Sequence, residues 1–141
     1  MITAGRYHDI SCGHRVVNHE SKCKHLHGHN YRIHFTVEAE ELDNIGRVLD
    51  FSVIKEKLCM WVENNYDHKT LLWKADPYLG MLPRSILEDV VVVEYNPTAE
   101  NMAKYLVEVI GPKQLEGTGC KLIQVTIEET RKCQATYALK R

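Results

Sequence analysis

The sequence predicts an α+β fold, on three observations. Residues 31–39 alternate apolar and polar side chains, residues 51–62 and 99–110 repeat apolar side chains at helical spacing, and a second alternating run follows at 123–127. Helices that each need one face covered, set beside a sheet with one apolar face, settle as two packed layers.

Each element has its own signal. Residues 3–12 carry Tyr7, Ile10 and Cys12 among polar neighbours and read as a first, weaker strand. Tyr31, Ile33, Phe35, Val37 and Ala39 share one face of the next strand, opposite Arg32, His34, Thr36 and Glu38. Phe51, Ile54, Leu58, Trp61 and Val62 mark a helix, with Asp50 or Ser52 as its cap. Val90 to Val93 is a β-branched run and reads as a short buried strand. Asn96-Pro97-Thr98 ends it, and Thr98 caps a second helix whose stripe is Ala99, Met102, Ala103, Leu106, Val109 and Ile110. Gly111-Pro112 is expected to stop that helix. Ile123, Val125 and Ile127 define the last long strand, followed by a short one at Thr136 to Leu139. A sheet this small has open edges, which self-association would cover.

Bulk properties narrow the class of function. The 141 residues fit one domain, 1–141, with no repeat or linker-like tract. A net charge of -1 gives no footprint for nucleic acid or an anionic membrane. No apolar run approaches the roughly 20 residues that span a bilayer, and the first residues lack the apolar stretch of a signal peptide. Five cysteines without a regular framework point to a reduced, cytoplasmic setting. Of eight histidines, five fall between His14 and His29. That cluster is where chemistry is expected.

Within Cys23-Lys24-His25-Leu26-His27-Gly28-His29-Asn30, His27 and His29 lie two apart, so an extended backbone aims both imidazoles to one side. Their parity matches Tyr31, Ile33 and Phe35. Three imidazoles with one open position describe a catalytic zinc site, and spacing leaves His14, His19 and His25 open as the third ligand. Cys23, near that site, is a thiolate base or nucleophile, a fourth ligand, or a plain buried cysteine. Cys12, Cys59, Cys120 and Cys133 fall in or beside predicted elements and read as core or surface residues. Asp67-His68 opens a loop able to aim both side chains at one pocket, or simply to leave them in water. Glu129 shares parity with Ile123, Val125 and Ile127, which sets a carboxylate at the end of an apolar stripe unless the strand stops at Glu128. Such a carboxylate needs a partner, and an amidine-like ligand edge would pair with it in bidentate fashion.

Together these residues resemble the 6-pyruvoyl-tetrahydropterin synthase family over nearly the whole chain. Ser11-Cys12-Gly13-His14-Arg15, His27-Gly28-His29-Asn30-Tyr31, Gly46-Arg47-Val48-Leu49-Asp50-Phe51, Asp67-His68, Asn96-Pro97-Thr98-Ala99-Glu100-Asn101 and Glu128-Glu129-Thr130 follow in the family's order. Cys12 and Gly13 depart from the small residues, such as Ala, common before the first histidine, but both are small. The resemblance implies a tunnelling fold: a four-stranded antiparallel sheet with two helices on one face, assembled around a β-barrel, commonly as homohexamers. It implies Zn2+ held by His14, His27 and His29, Cys23 as base, Asp67 and His68 as a proton-relay pair, and Glu129 as anchor of the pterin ring.

The Cys-x3-His-Gly-His spacing from Cys23 to His29 is that of the branch forming 6-carboxytetrahydropterin, in the queuosine (7-deazaguanine) precursor pathway. The pyruvoyl-forming branch usually has a longer gap. The implied reaction turns 7,8-dihydroneopterin triphosphate into 6-carboxytetrahydropterin, acetaldehyde and triphosphate. Its redox change is internal to the substrate, so no nicotinamide or flavin is expected. Formation of 6-pyruvoyltetrahydropterin, processing of sepiapterin, and a non-catalytic zinc scaffold are the alternatives. A scaffold would need only the three histidines.

Overall fold

The computed structural model describes residues 1–21 and 24–140. Strand β1 (Ile2–His14) runs antiparallel to β2 (His27–Ala39) along its full length, from Ile2 opposite Ala39 to His14 opposite His27. Strands β3 (Thr70–Trp73) and β4 (Val90–Val93) are parallel additions, β3 beside β1 and β4 beside β3. Strand β5 (Cys120–Glu128) pairs antiparallel with β2, and β6 (Gln134–Ala138) with β5. The order across the sheet is β4-β3-β1-β2-β5-β6. The expected antiparallel quartet is present as β1, β2, β5 and β6, but the sheet has six strands and is mixed. Thr70–Trp73 is too short to show a period, and only its bonding to the end of β1 and to β4 makes it a strand.

Two helical stretches cover one face, as expected. The first comprises α1 (Phe51–Ile54), a π-helical turn (Lys55–Cys59) and α2 (Met60–Tyr66). Asp50 caps it by accepting from the Ser52 N–H. A short helix, α3 (Arg84–Leu87), precedes β4. The second stretch comprises α4 (Ala99–Tyr105), a π-helical turn (Leu106–Ile110) and α5 (Gly111–Gln114), capped by Thr98, whose side chain accepts from the Asn101 N–H. Gly111-Pro112 does not end it. After the π-helical turn Pro112 falls in the first turn of α5, where its missing N–H costs no bond, and Leu115 N–H still reaches the Gly111 carbonyl.

The core lies between these layers. Ile10, Tyr31, Ile33, Phe35 and Val37 from the sheet meet Ile54, Leu58, Val62, Met102, Leu106 and Ile110 from the helices, all buried. Each such side chain contributes about 1.5–3 kcal/mol on leaving water. Phe51 and Val109, placed on the stripes by spacing, are 58% and 37% exposed, and Cys59 and Val107 take the buried positions. Ile123 also leaves its expected face. The register with β2 jumps between Thr36 opposite Gln124 and Val37 opposite Leu122, so Ile123 is the extra residue of a bulge. Leu122 is buried in its stead.

Candidate metal and acid–base site

Pairing of β1 with β2 assembles the histidines. His14 closes β1 opposite His27, and His29 lies two residues on, opposite Cys12. The nitrogens of His14, His27 and His29 lie within 4.8 Å of one another. Of the three candidates for the third position, His14 is the one grouped with His27 and His29 among the described residues, and His19 and His25 are not. His14 Nδ1 is 2.6 Å from the Pro97 carbonyl and His27 Nδ1 is 2.6 Å from the His25 carbonyl. A carbonyl only accepts, so each Nδ1 carries the proton and each Nε2 offers a lone pair. Those two Nε2 atoms face each other at 3.0 Å. His29 Nε2 is buried without a hydrogen-bond partner in the structure.

The facing lone pairs of His14 and His27 repel each other unless a cation lies between them. Ligands of a tetrahedral zinc ion at about 2.0–2.1 Å are spaced by about 3.3 Å, close to the 3.0 Å between His14 and His27 Nε2. The donor set therefore fits zinc. Burial, opposed by the Pro97 bond, pushes His14 down to about 4, which keeps it neutral and ready to ligate at ordinary pH. Burial also lowers His29, against the pull of Glu129.

The remaining side of the cluster faces a carboxylate. Glu129 Oε1 lies 3.7 Å from His14 Nε2, and Oε2 lies 3.9 Å from His29 Nε2. Glu129 follows the last residue of β5 and its N–H bonds the Cys133 carbonyl, so it is held at the sheet end and keeps the inward parity read from the sequence. Glu128 points the other way, to His34. Both carboxylates, with His29, Asp67 and His68, line one cleft of about 920 Å³.

Asp67 and His68 follow α2. Asp67 Oδ1 accepts the Ser11 N–H at 2.9 Å, and the His68 N–H donates to the Ser11 carbonyl at 2.6 Å, which ties the pair to β1. Adjacent side chains rarely bond each other, yet His68 Nδ1 reaches Asp67 Oδ2 at 2.7 Å. The His68 backbone has φ 58, and this left-handed turn swings the ring back over its neighbour. Partial burial pushes the Asp67 carboxyl up, but bonds from Ser11, His68 and Glu63 outweigh it and hold it below the usual value.

Cys23 lies outside the described residues. Cys12, the cysteine opposite His29, is no substitute as a base, because burial and the Asp67 charge push its thiol up to about 12. Cys59 is buried, Cys120 half-buried and Cys133 exposed, as core and surface residues should be.

The sequence reading missed what supports His14. Asn96 exchanges two hydrogen bonds with the Val17 backbone, each 2.9 Å, and Asn101 bonds the Asn96 carbonyl at 3.0 Å. This lattice presents the Pro97 carbonyl to His14. In the sequence, Asn96-Pro97-Thr98 reads as a stop, a cap and part of a family segment, with no link to His14. Its polarity beside a buried helix start was the available signal.

A three-imidazole cluster able to hold a metal ion lies beside a carboxylate and an imidazole–carboxylate pair, on an α+β scaffold. Comparison with known proteins gives the family. Residues 4–140 match the family model of 6-pyruvoyl tetrahydropterin synthase, and the chain belongs to that family. It is 36% identical over 134 residues to the 6-carboxy-5,6,7,8-tetrahydropterin synthase of Rickettsia bellii, covering 94% of this chain and 97% of that one. It is 32% identical over 126 residues to the enzyme of the same name from Aquifex aeolicus, covering 83% and 76%. Among solved structures, a protein of Wolinella succinogenes superposes with a TM-score of 0.86 at 24% identity, over 99% and 98% of the two chains. The Caenorhabditis elegans 6-pyruvoyl tetrahydropterin synthase does so with a TM-score of 0.70 at 25% identity, over 99% and 96%.

Proposed function

We propose that the chain is a lyase converting 7,8-dihydroneopterin triphosphate and one water to 6-carboxy-5,6,7,8-tetrahydropterin, acetaldehyde and triphosphate. The observation that carries this reading is the cluster of His14, His27 and His29, opening toward Glu129 at the cleft that Asp67 and His68 also line. Relatives named for that product, at 32–36% identity over 94% of the chain, support it over pyruvoyl formation. Zn2+ held by the three histidines would act as a Lewis acid toward the hydroxyl and carbonyl oxygens of the substrate side chain.

The chain's own groups divide the rest of the work. Cys23 as thiolate takes a proton from the side chain, and His68, held by Asp67 through Nδ1, gives and takes protons at Nε2. Glu129 accepts hydrogen bonds from the amino group and ring nitrogen of the pterin. The open edges at β4 and β6 support assembly into a homohexamer. The test is mass spectrometry of the products formed from 7,8-dihydroneopterin triphosphate by the zinc-loaded protein. 6-Carboxytetrahydropterin with acetaldehyde is expected. 6-Pyruvoyltetrahydropterin would move the chain to the other branch, and no turnover would favour a scaffold.

A further inference from the structure

The hydrogen bonds of Asp67 and His68 do not end with that pair. His8, on β1, sets Nε2 2.7 Å from Oε1 of Glu63, on α2. Glu63 precedes Asp67 by one helical turn, and this spacing sets its carboxyl beside that of Asp67, where it is one of the groups that hold the Asp67 carboxyl low. The side chains therefore run His8, Glu63, Asp67, His68, from beneath α2 to the cleft. Their exposures are 20%, 34%, 19% and 81%, so only the last is open. Glu63, Asp67 and His68 all line that cleft.

Folding alone gives no reason for this arrangement. His8 lies on the strand face that carries buried Ile10 and Cys12, where an apolar side chain would add to the core. Two carboxyl groups in contact repel unless one proton is shared between them. What the arrangement does achieve is to fix Asp67. Its Oδ1 is engaged by Ser11, its Oδ2 by His68, and its flank by Glu63, which His8 holds in turn.

We propose that Glu63 and His8 are positioning residues of the acid–base centre, holding Asp67 so that His68 keeps its proton on Nδ1 and presents Nε2 to the substrate. Neither touches the reacting atoms. The inference rests on the assignment of Asp67 and His68 to proton transfer.

The test uses the zinc-loaded protein with Glu63→Ala, Glu63→Gln and His8→Phe. It reads zinc content, kcat and KM on 7,8-dihydroneopterin triphosphate, and the His68 Nδ1–H resonance by NMR without substrate. Glu63→Ala should lower kcat about tenfold, less than the roughly 10²–10⁴ expected for losing an acid–base group. KM and zinc content should hold, and the His68 resonance should fade into exchange with water. Glu63→Gln should restore most of the turnover, because its carbonyl still accepts from His8 and its amide donates to Asp67. His8→Phe should follow Glu63→Ala at smaller amplitude, and it carries the test if Glu63→Ala does not fold. Parental kcat with an unchanged His68 resonance in both Glu63→Ala and His8→Phe would overturn the proposal, as would Glu63→Gln as impaired as Glu63→Ala. Failure of the underlying assignment looks different: His68→Ala would then leave turnover intact, while the resonance would still report on positioning.

Discussion

His14 and His27 face each other with Nε2 atoms 3.0 Å apart, each with its Nδ1 proton committed to a main-chain carbonyl. Neither ring can turn to offer a proton to the other without giving up that bond. Strand pairing thus fixes two lone pairs and aims them at one point, where a bound metal ion would relieve the repulsion. About one zinc per chain is expected in protein purified without added metal, by elemental analysis. His14→Ala and His27→Ala should each cost more than the roughly 10–100-fold in affinity typical of losing an outer-shell partner. Full zinc occupancy in His27→Ala would remove that residue from the ligand set.

Cys23 tests the base. If its thiolate abstracts the proton, Cys23→Ala keeps zinc and still binds substrate, while turnover falls by about 10²–10⁴-fold. Loss of zinc along with turnover would make it a fourth ligand instead. Cys12→Ala is the control, since that thiol is buried and held protonated. Its cost should appear in thermal stability and not in kcat.

Much of this architecture was legible because periodicity reports burial directly. Tyr31, Ile33, Phe35 and Val37 are all buried, and Asp50 and Thr98 cap the two helical stretches. What stayed illegible depends on partners remote in sequence. The bulge at Ile123 exists only in relation to β2, and Thr70–Trp73 is a strand only through its bonds to β1 and β4. In the site, the parity of His27, His29 and Glu129 was readable from their own strands. The role of Pro97 was not, because a carbonyl has no residue type, and the His8–Glu63 contact spans 55 positions.

Gly111 separates propensity from packing. Glycine within a helix is usually improved by alanine, by roughly 0.5–1 kcal/mol. Here a Cβ would stand 2.8 Å from Leu122 Cβ and 2.9 Å from its Cδ2. Leu122 is 2% exposed in the core beside the bulge and has little room to move. Overpacking of this kind costs about 1–3 kcal/mol, so it should win. Gly111→Ala is expected to lower Tm by about 3 °C per net kcal/mol lost. Calorimetry showing an unchanged or higher Tm would mean that the sheet yields there.

The anchor carries the sharpest comparison, because two adjacent carboxylates line one cleft and only one faces the histidines. Glu129, half-buried beyond β5, presents both oxygens toward His14 and His29, and in the proposed role it accepts two hydrogen bonds from a pterin edge. A charge-assisted bond contributes roughly 1.5–3 kcal/mol. Glu129→Gln turns one acceptor into a donor, so substrate binding should weaken about tenfold or more. Zinc content decides whether the residue instead completes the metal site, since an anchor leaves it unchanged and a fourth ligand does not. Glu128 is the internal control. Its partner is His34, and both side chains are about a third exposed, at 31% and 40%. A pair so open to water contributes about 0–1 kcal/mol. Glu128→Gln should therefore leave substrate binding nearly untouched. Should binding fail in Glu128→Gln and survive in Glu129→Gln, the pterin is held on the opposite face of the strand, and the carboxylate beside His14 and His29 serves the metal alone.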